Sequence, residues 1–472
     1  MSEGEMERKF DLVVLGGGPG GYVAALRASQ LNKRTLLIEE DRVGGTCINY
    51  GCIPTKYLLY HTHLVDEVKR SRVVEGPLEK LNINLKKMQD EKQKVIDRLV
   101  SGLEMLLKKN GVELIKGKAF PLDRRLVAVS TEEGEEVFEG EKIILAAGSR
   151  PSRLPFLPSG KKEILTSRQA LELEEIPATL LVIGAGVIGL ELGIFFHRLG
   201  TEVTVLEILP TPLPGWETEI VSRLQRILKA NGLRIFTHMK IEEAVLEAGK
   251  ATLRGTCLRD DKPFEFKAAR VLLAAGREPN SEELSSSLPS LELDEKGFVR
   301  VDSRLETSIS GIYAIGDLIG GKLLAHKASH EGIVAAENAW GLKREMDYSA
   351  LPSAVFTEPE FSSLGLTEKE AREKGLKIKV GRFPLRASGR ALTMGREEGV
   401  VKIIAGEKDE ILGAHILAPN ASELIAEISL AMAKGLKIQD VASTIHIHPT
   451  LSEAVMEASL KANNVALHIL NV

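Results

Sequence analysis

Cysteine is scarce in this chain: 472 residues carry three, Cys47, Cys52 and Cys257. A scaffold of several bridges is therefore excluded. Charge of one sign is also lacking. The formal net charge is −4, so no strong field for nucleic acid or for a lipid surface arises. No apolar run reaches the roughly 20 residues that a membrane-spanning helix needs. The first residues are polar and rich in acid, with neither the apolar stretch of a signal peptide nor the Arg-rich, acid-poor character of a transit peptide. A reducing cytoplasm is the default expectation, and there a disulfide is usually catalytic or transient. What remains is ordinary for a globular protein: 43% apolar and 27% charged residues, in a length suited to two to four domains with ample core.

Two of the three cysteines sit five apart in Gly44-Gly45-Thr46-Cys47-Ile48-Asn49-Tyr50-Gly51-Cys52-Ile53-Pro54-Thr55-Lys56. On a regular helix positions i and i+5 do not face each other well, but a distorted first turn brings them together. A bridge closing so short a loop stabilises a fold by only about 2 kcal/mol. That is little for a chain of this size, so a reversible redox pair fits better than a staple. Two unbonded buried thiols are the alternative.

Upstream of this stretch, residues 10–15 read as a buried strand running into Gly16-x-Gly18-x-x-Gly21, then a helix over 22–31 and a strand over 35–38 ending at Glu39. Glycines in such a turn let backbone approach a pyrophosphate at a helix N-terminus, and an acid at the end of the second strand accepts from ribose hydroxyls. Glu39 lies 18 residues beyond Gly21. The pattern recurs. A strand over 180–183 leads into Gly184-x-Gly186-x-x-Gly189, a helix over 190–199 and a strand ending at Glu207, again 18 residues beyond the last glycine. One such turn is weak support. Two copies with identical spacing predict two dinucleotide sites. A carboxylate at the ribose repels the 2′-phosphate of NADP, so Glu207 favours NAD. Each unit closes alike, in Ala146-Ala147-Gly148 and Ala274-Ala275-Gly276.

Between the cysteines and Gly148 the pattern predicts a long amphipathic helix over 85–110 and short strands over 112–137. A polar connection is expected over 280–290, a buried strand ending at Asp317, and a helix over 323–340. Beyond about residue 351 come strands over 354–357, 400–405 and 411–417, a helix over 421–434, then His446-Ile447-His448-Pro449-Thr450-Leu451-Ser452-Glu453 and a last helix to about 461.

From about residue 10 to 461 the chain resembles the flavin-dependent pyridine nucleotide-disulfide oxidoreductases, most closely their dihydrolipoamide dehydrogenase branch. The paired glycine turns, the Cys47–Cys52 stretch, Ile315-Gly316-Asp317 and His448-Pro449-Thr450 with Glu453 carry the resemblance. It implies an α/β fold with two Rossmann-like domains, for FAD and NAD, and a C-terminal α+β dimerisation domain. The implied boundaries are 1–150 for the first part of the FAD domain, 151–278 for the NAD domain, 279–350 for the rest of the FAD domain and 351–472 for the interface. FAD is expected at Gly16, Gly18, Gly21 and Glu39, with Gly45, Thr46 and Lys56 from the cysteine stretch. Ala119 is expected at its adenine end, Asp317 near its ribityl chain and pyrophosphate, and Gly148 and Ala325 beside it. NAD is expected at Gly184, Gly186, Gly189 and Glu207, with Gly276 nearby. No metal is implied.

The same resemblance implies a Cys47–Cys52 disulfide that a dihydrolipoyl thiol attacks at Cys47, with Cys52 nearer the flavin. His448 is the implied base, suited to it by an ordinary pKa near neutrality, and Glu453 orients its ring. His446 is assigned a structural part. Lys56 and Glu191 are implied as an ion pair beside the flavin. The His–Glu pair is implied to serve the partner subunit of a homodimer. Lipoyl-bearing proteins of 2-oxo acid dehydrogenase or glycine cleavage complexes are the implied partners, since no lipoyl domain precedes residue 10. Four positions depart from the common pattern: Tyr50 between the cysteines, Thr55 for Ser, Ala147 for Thr and Ser388 for Asn. The rivals are a glutathione-type reductase, against which Glu207 argues, and a mercuric reductase, whose usual C-terminal cysteine pair residues 467–472 lack. A subunit that mainly docks onto a 2-oxo acid dehydrogenase core is a further alternative.

Overall fold

The computed structural model describes residues 8–71, 73–158 and 160–471. The chain forms two compact units, neither of them continuous. One comprises the chain up to Leu154 with Thr166–Glu175 and Gly276–Met346. The other comprises Pro155–Leu165, Ile176–Ala275 and the chain from Asp347 onward.

The first unit is built on β1 (Lys9–Leu15), α1 (Pro19–Gln30), β2 (Thr35–Glu39), the short α2 (Gly45–Tyr50), α3 (Cys52–Arg70) and the long α4 (Leu85–Lys109). Then follow β3 (Glu113–Lys116), β4 (Lys118–Pro121), β5 (Leu126–Thr131) and β6 (Gly134–Leu145). The sheet order is β3-β2-β1-β6-β5-β4, and the strand Ile312–Ala314 adds to β6. The nucleotide half is parallel, whereas β4, β5 and β6 form an antiparallel meander. Strand β1 is buried on both faces at Leu12, Val13 and Val14, as a parallel strand covered by helices requires. Helix α4 buries Ile96, Val100, Leu103 and Leu107 on one face, and Asn84 caps it by accepting the Lys87 amide at 2.9 Å.

The second unit repeats the plan with β7 (Thr179–Ile183), α5 (Val187–Arg198) and β8 (Glu202–Leu206). These lie in a five-stranded parallel sheet with Arg234–Phe236, Arg270–Leu273 and Ile164–Leu165. A three-stranded antiparallel meander spans Met239–Glu247, Lys250–Cys257 and Lys262–Ala268. The C-terminal portion is a five-stranded antiparallel sheet, Ser353–Val355, Glu360–Gly365, Ile411–Ala418, Val400–Gly406 and Ile378–Pro384 in spatial order. Its core includes the helices Ala421–Ala433 and α6 (Glu453–Ala462).

A buried ion cluster ties the two portions of this unit together. Lys402, 1% exposed, places its Nζ 2.8 Å from Glu217, 2.8 Å from Glu219 and 2.7 Å from Glu368. Arg382 bonds Glu219 and Glu368 as well. The three carboxylates converge closely enough to hold a cation, and the Lys402 ammonium fills that role.

Four expectations need correction. The strand expected to end at Asp317 ends at Ala314, with Gly316–Ile319 a 3-10 turn, and the helix expected from Leu190 begins at Val187. Residues 280–290 are not only a polar connection, because Glu282–Ser287 is a helix that buries Leu284. The helix expected to begin at Tyr22 begins at Pro19, whose fixed φ and missing N–H suit a first turn. No helix among the described residues is long and apolar enough to cross a membrane.

Candidate active site

Both glycine turns are shaped by contact. Gly16 has φ +101°, and a Cβ there would lie 2.4 Å from the Ala146 carbonyl oxygen. One on Gly21 would lie 1.8 Å from the Gly16 oxygen. In the second turn Gly184 also has φ +101°, with its Cβ position 2.5 Å from the Ala274 oxygen, and that of Gly189 is 2.0 Å from the Gly184 oxygen. Gly18 and Gly186 face open space instead. Each is the N-cap of its helix and has no side chain to occupy the first amides. This is a cradle that an anionic pyrophosphate fits, once in each unit.

The two strand-end acids are held identically. Glu39 accepts the Gly17 amide at 2.6 Å and the Asp41 amide at 2.9 Å. Glu207 accepts the Ala185 amide at 2.7 Å and the Leu209 amide at 2.9 Å. Burial pushes the Glu39 carboxyl up, opposed by these amide bonds.

The remaining FAD candidates fall within the first unit. Asp317 accepts from Ser149 Oγ at 2.5 Å, and Arg277 donates to the same hydroxyl at 2.7 Å and to the Ser149 carbonyl at 2.6 Å. The Asp317 turn is clamped from below by a buried pair. Glu331 accepts the Gly316 amide at 2.7 Å and meets Lys327 at 2.9 Å. Gly148 has φ +69°, and its carbonyl accepts the Asn280 amide at 3.0 Å. Ala119 lies in β4, and Ala325 opens the helix Ala325–Asn338. Gly276, expected near NAD, belongs to the first unit, where its carbonyl accepts the Ser152 amide at 3.1 Å.

The cysteines meet because the helix breaks between them. Gly44 and Gly45 have φ +93° and +53°, so the chain turns into α2 in a left-handed conformation. Gly51, at φ −139° and ψ −108°, ends α2 and starts α3 afresh at Cys52. The two side chains then hydrogen-bond. That bond, burial and the charge of Cys52 push the Cys47 thiol up, while Lys56, one turn into α3, acts the other way. The structure thus brings the expected disulfide partners within reach of each other, with Cys52 at the N-terminus of α3. Gly45 and Thr46 form the first turn of α2. Asn49 stitches the loop, donating to the carbonyls of Val43 at 3.1 Å and Gly45 at 3.0 Å.

Three of the four departures from the common pattern have local explanations. Tyr50 donates its hydroxyl to Asp41, and the Arg168 guanidinium lies 3.9 Å from its ring centroid. Thr55 Oγ1 donates to the Gly51 carbonyl at 2.6 Å, and Ser388 caps the helix Gly389–Thr393.

In the second unit His448 Nδ1 lies 2.9 Å from Glu453 Oε1, and the other carboxylate oxygen accepts the Thr450 amide at 2.8 Å. A carboxylate only accepts, so Nδ1 carries the proton and Nε2 presents its lone pair. The ring is 80% exposed. Burial pushes the Glu453 carboxyl up, but the Thr450 amide, the His448 bond and the charges of His448 and His468 outweigh it and hold the group low. His446 is different: one nitrogen faces the Thr444 carbonyl and the other Glu427, so neither is left for proton transfer. Glu191 is buried on α5 and accepts the Phe356 amide at 3.0 Å.

Sequence reasoning missed Asn49, Ser149, Arg277 and Glu331. Asn49 stood in view between the cysteines, and Arg277 directly follows Gly276. Ser149 and Glu331 gave no local signal.

Residues 10–332 match the family described as pyridine nucleotide-disulphide oxidoreductase, and residues 351–459 match that family's dimerisation domain. A dihydrolipoyl dehydrogenase of Thermus scotoductus is 42% identical over 98% of this chain and all of its own. One of Haloferax volcanii is 41% identical over the whole of both chains. Among solved structures, the Cu(II) complex of the HOCl-induced flavoprotein disulfide reductase RclA from Escherichia coli superposes with a TM-score of 0.85 at 27% identity. It covers 96% of this chain and 99% of its own.

Proposed function

The chain belongs to the pyridine nucleotide-disulphide oxidoreductase family, and from that premise we propose that it oxidises protein-bound dihydrolipoyl groups as a dihydrolipoyl dehydrogenase. Its cofactors are FAD and NAD. The observation that carries the proposal is the meeting of Cys47 and Cys52 across the Gly51 break, with Lys56 one turn away.

The residues divide the work as follows. Gly16, Gly18, Gly21 and Glu39, with Gly45, Thr46, Lys56, Ala119, Gly148, Asp317 and Ala325, hold FAD. Gly184, Gly186, Gly189 and Glu207 hold NAD. The oxidised protein carries a Cys47–Cys52 disulfide. His448 Nε2 of the partner subunit takes a proton from one substrate thiol, and Glu453 keeps that ring oriented and stabilises its charge. The resulting thiolate attacks Cys47 Sγ. A mixed disulfide forms, the Cys47–Cys52 bond breaks and the electron pair leaves on Cys52. The second substrate thiol then displaces Cys47, closing the lipoyl disulfide and leaving Cys47 and Cys52 reduced. Cys47 keeps a proton shared towards Cys52, which matches the direction in which its thiol is shifted. Bound FAD supplies the two-electron path from this thiol pair to NAD. Lys56 places positive charge where that transfer accumulates electrons.

The dimerisation domain supports a homodimer, which the proton transfer between subunits requires. Lipoyl-bearing proteins of a 2-oxo acid dehydrogenase or glycine cleavage complex, in the cytoplasm, are the proposed partners. Steady-state turnover of dihydrolipoamide with NAD, set against glutathione disulfide with NADPH, tests the assignment. The first pair is expected to be faster, and faster turnover of the second would overturn the substrate while leaving the fold.

A further inference from the structure

Helix α6 carries two carboxylates one turn apart, Glu453 and Glu457, and each is met by a histidine. His448 Nδ1 lies 2.9 Å from Glu453, and His468 Nδ1 lies 2.7 Å from Glu457. Positions i and i+4 share a helix face, and two like charges there destabilise each other. Glu457 is also buried, its side chain 2% exposed, so its charge needs partners from within the protein.

The C-terminal segment supplies them. Besides the His468 ring, Glu457 accepts the amides of Leu467 at 3.1 Å and His468 at 3.3 Å. The segment is fixed in turn. The Ala466 amide donates to Asn471 Oδ1 at 2.9 Å, Asn471 Nδ2 returns a bond to the Ala466 carbonyl at 2.8 Å, and Lys461 holds the Leu470 carbonyl at 3.0 Å. The neighbouring ionisable pair, His446 with Glu427, is closed on itself. The charge of His468 is felt at Glu453 as well.

We propose that His468 is a positioning residue for the proton-transferring pair: by satisfying Glu457 it leaves Glu453 ionised and committed to His448. Without its ring, a buried carboxylate answered only by two backbone amides lies one turn from Glu453. Glu453 then competes with it for charge, and the orientation of the His448 ring loosens. This inference rests on His448 as the proton acceptor.

The test is His468→Ala in the full-length flavoprotein, assayed with dihydrolipoamide and NAD across pH, and separately with NADH and ferricyanide, a reaction that does not need the His448–Glu453 pair. The expected result is a fall of roughly tenfold in kcat with dihydrolipoamide. The acid limb of the kcat/KM profile moves to lower pH, because a Glu453 that shares charge with Glu457 stabilises the His448 imidazolium less. The ferricyanide rate is unchanged. His468→Asn, whose Nδ2 replaces the lost donor, restores most of the rate. Unchanged kcat in His468→Ala, or an acid limb that stays in place or moves up, overturns the inference. If His468→Ala loses the ferricyanide reaction too, His468→Asn decides: recovery supports the role and no recovery overturns it. His448→Ala separates the two levels. Full turnover in that variant defeats the proposed mechanism itself, whereas impaired turnover beside an unaffected His468→Ala defeats only the role of His468.

Discussion

Glu207 accepts the backbone amide of Ala185 at 2.7 Å, in the same geometry that joins Glu39 to Gly17 in the other unit. Both bonds span 22 residues and close the turn that cradles a dinucleotide. Replacing Glu207 with Arg removes a charge-assisted acceptor for the ribose and offers a partner to a 2′-phosphate. Such bonds are worth about 1.5–3 kcal/mol, or roughly ten- to a hundredfold in binding. The ratio of kcat/KM for NAD to that for NADP is expected to drop by at least the smaller factor. An unchanged ratio would mean that Glu207 does not meet the ribose.

Stability should fall with acid through His415. Its ring is fully buried, with Nε2 donating to the Leu366 carbonyl at 3.0 Å and Nδ1 lying 2.8 Å from Ser363 Oγ. Burial, the dominant cause, pushes its pKa down to about 4. The unfolded chain therefore binds the extra proton first. The contribution is complete above the ordinary value near 6.5 and is lost as pH falls from there towards 4, about 3 kcal/mol at most. Glu368, held down at about 2 chiefly by Lys402 and Arg372 against its burial, adds a loss of the same sign below the usual carboxylate range. Melting temperatures of the wild type and His415→Gln, compared between neutral pH and pH about 5, should converge as pH falls. A gap that widens would contradict the buried neutral histidine.

Tyr50 stands between the redox cysteines, yet its hydroxyl is taken by Asp41 and its ring by Arg168. Burial and the Asp41 bond hold the phenol protonated well above its ordinary range. The group is therefore a tether rather than an acid. Tyr50→Phe should keep kcat with dihydrolipoamide within about threefold and cost at most about 1.5 kcal/mol of stability, the worth of one hydrogen bond. A loss of turnover well beyond that range, at unchanged stability, would place the hydroxyl in the substrate path.

What could be read from the chain alone was what is local or repeated. Each glycine turn and its acid lie within one strand-turn-helix-strand segment, and His448 and Glu453 are five apart. The helix Leu85–Lys109 declared itself by apolar spacing. The groups that hold the site in place were not legible, because their partners are distant. Arg277 reaches Ser149 across 128 residues, and Lys402 reaches Glu217 across 185. Nothing in the local pattern announces such pairs. The helix Glu282–Ser287 was missed for another reason. Its three serines suit turns as well as helix, and tertiary burial of Leu284 settles the choice.

The account depends on Cys47 and Cys52 taking up the electrons of the substrate together. Anaerobic alkylation, read by peptide mass, tests this before and after one equivalent of dihydrolipoamide without NAD. Before reduction both cysteines should resist alkylation as a disulfide, and afterwards both should be labelled, with Cys257 unchanged throughout. Labelling of Cys47 and Cys52 that is the same before and after reduction would contradict it.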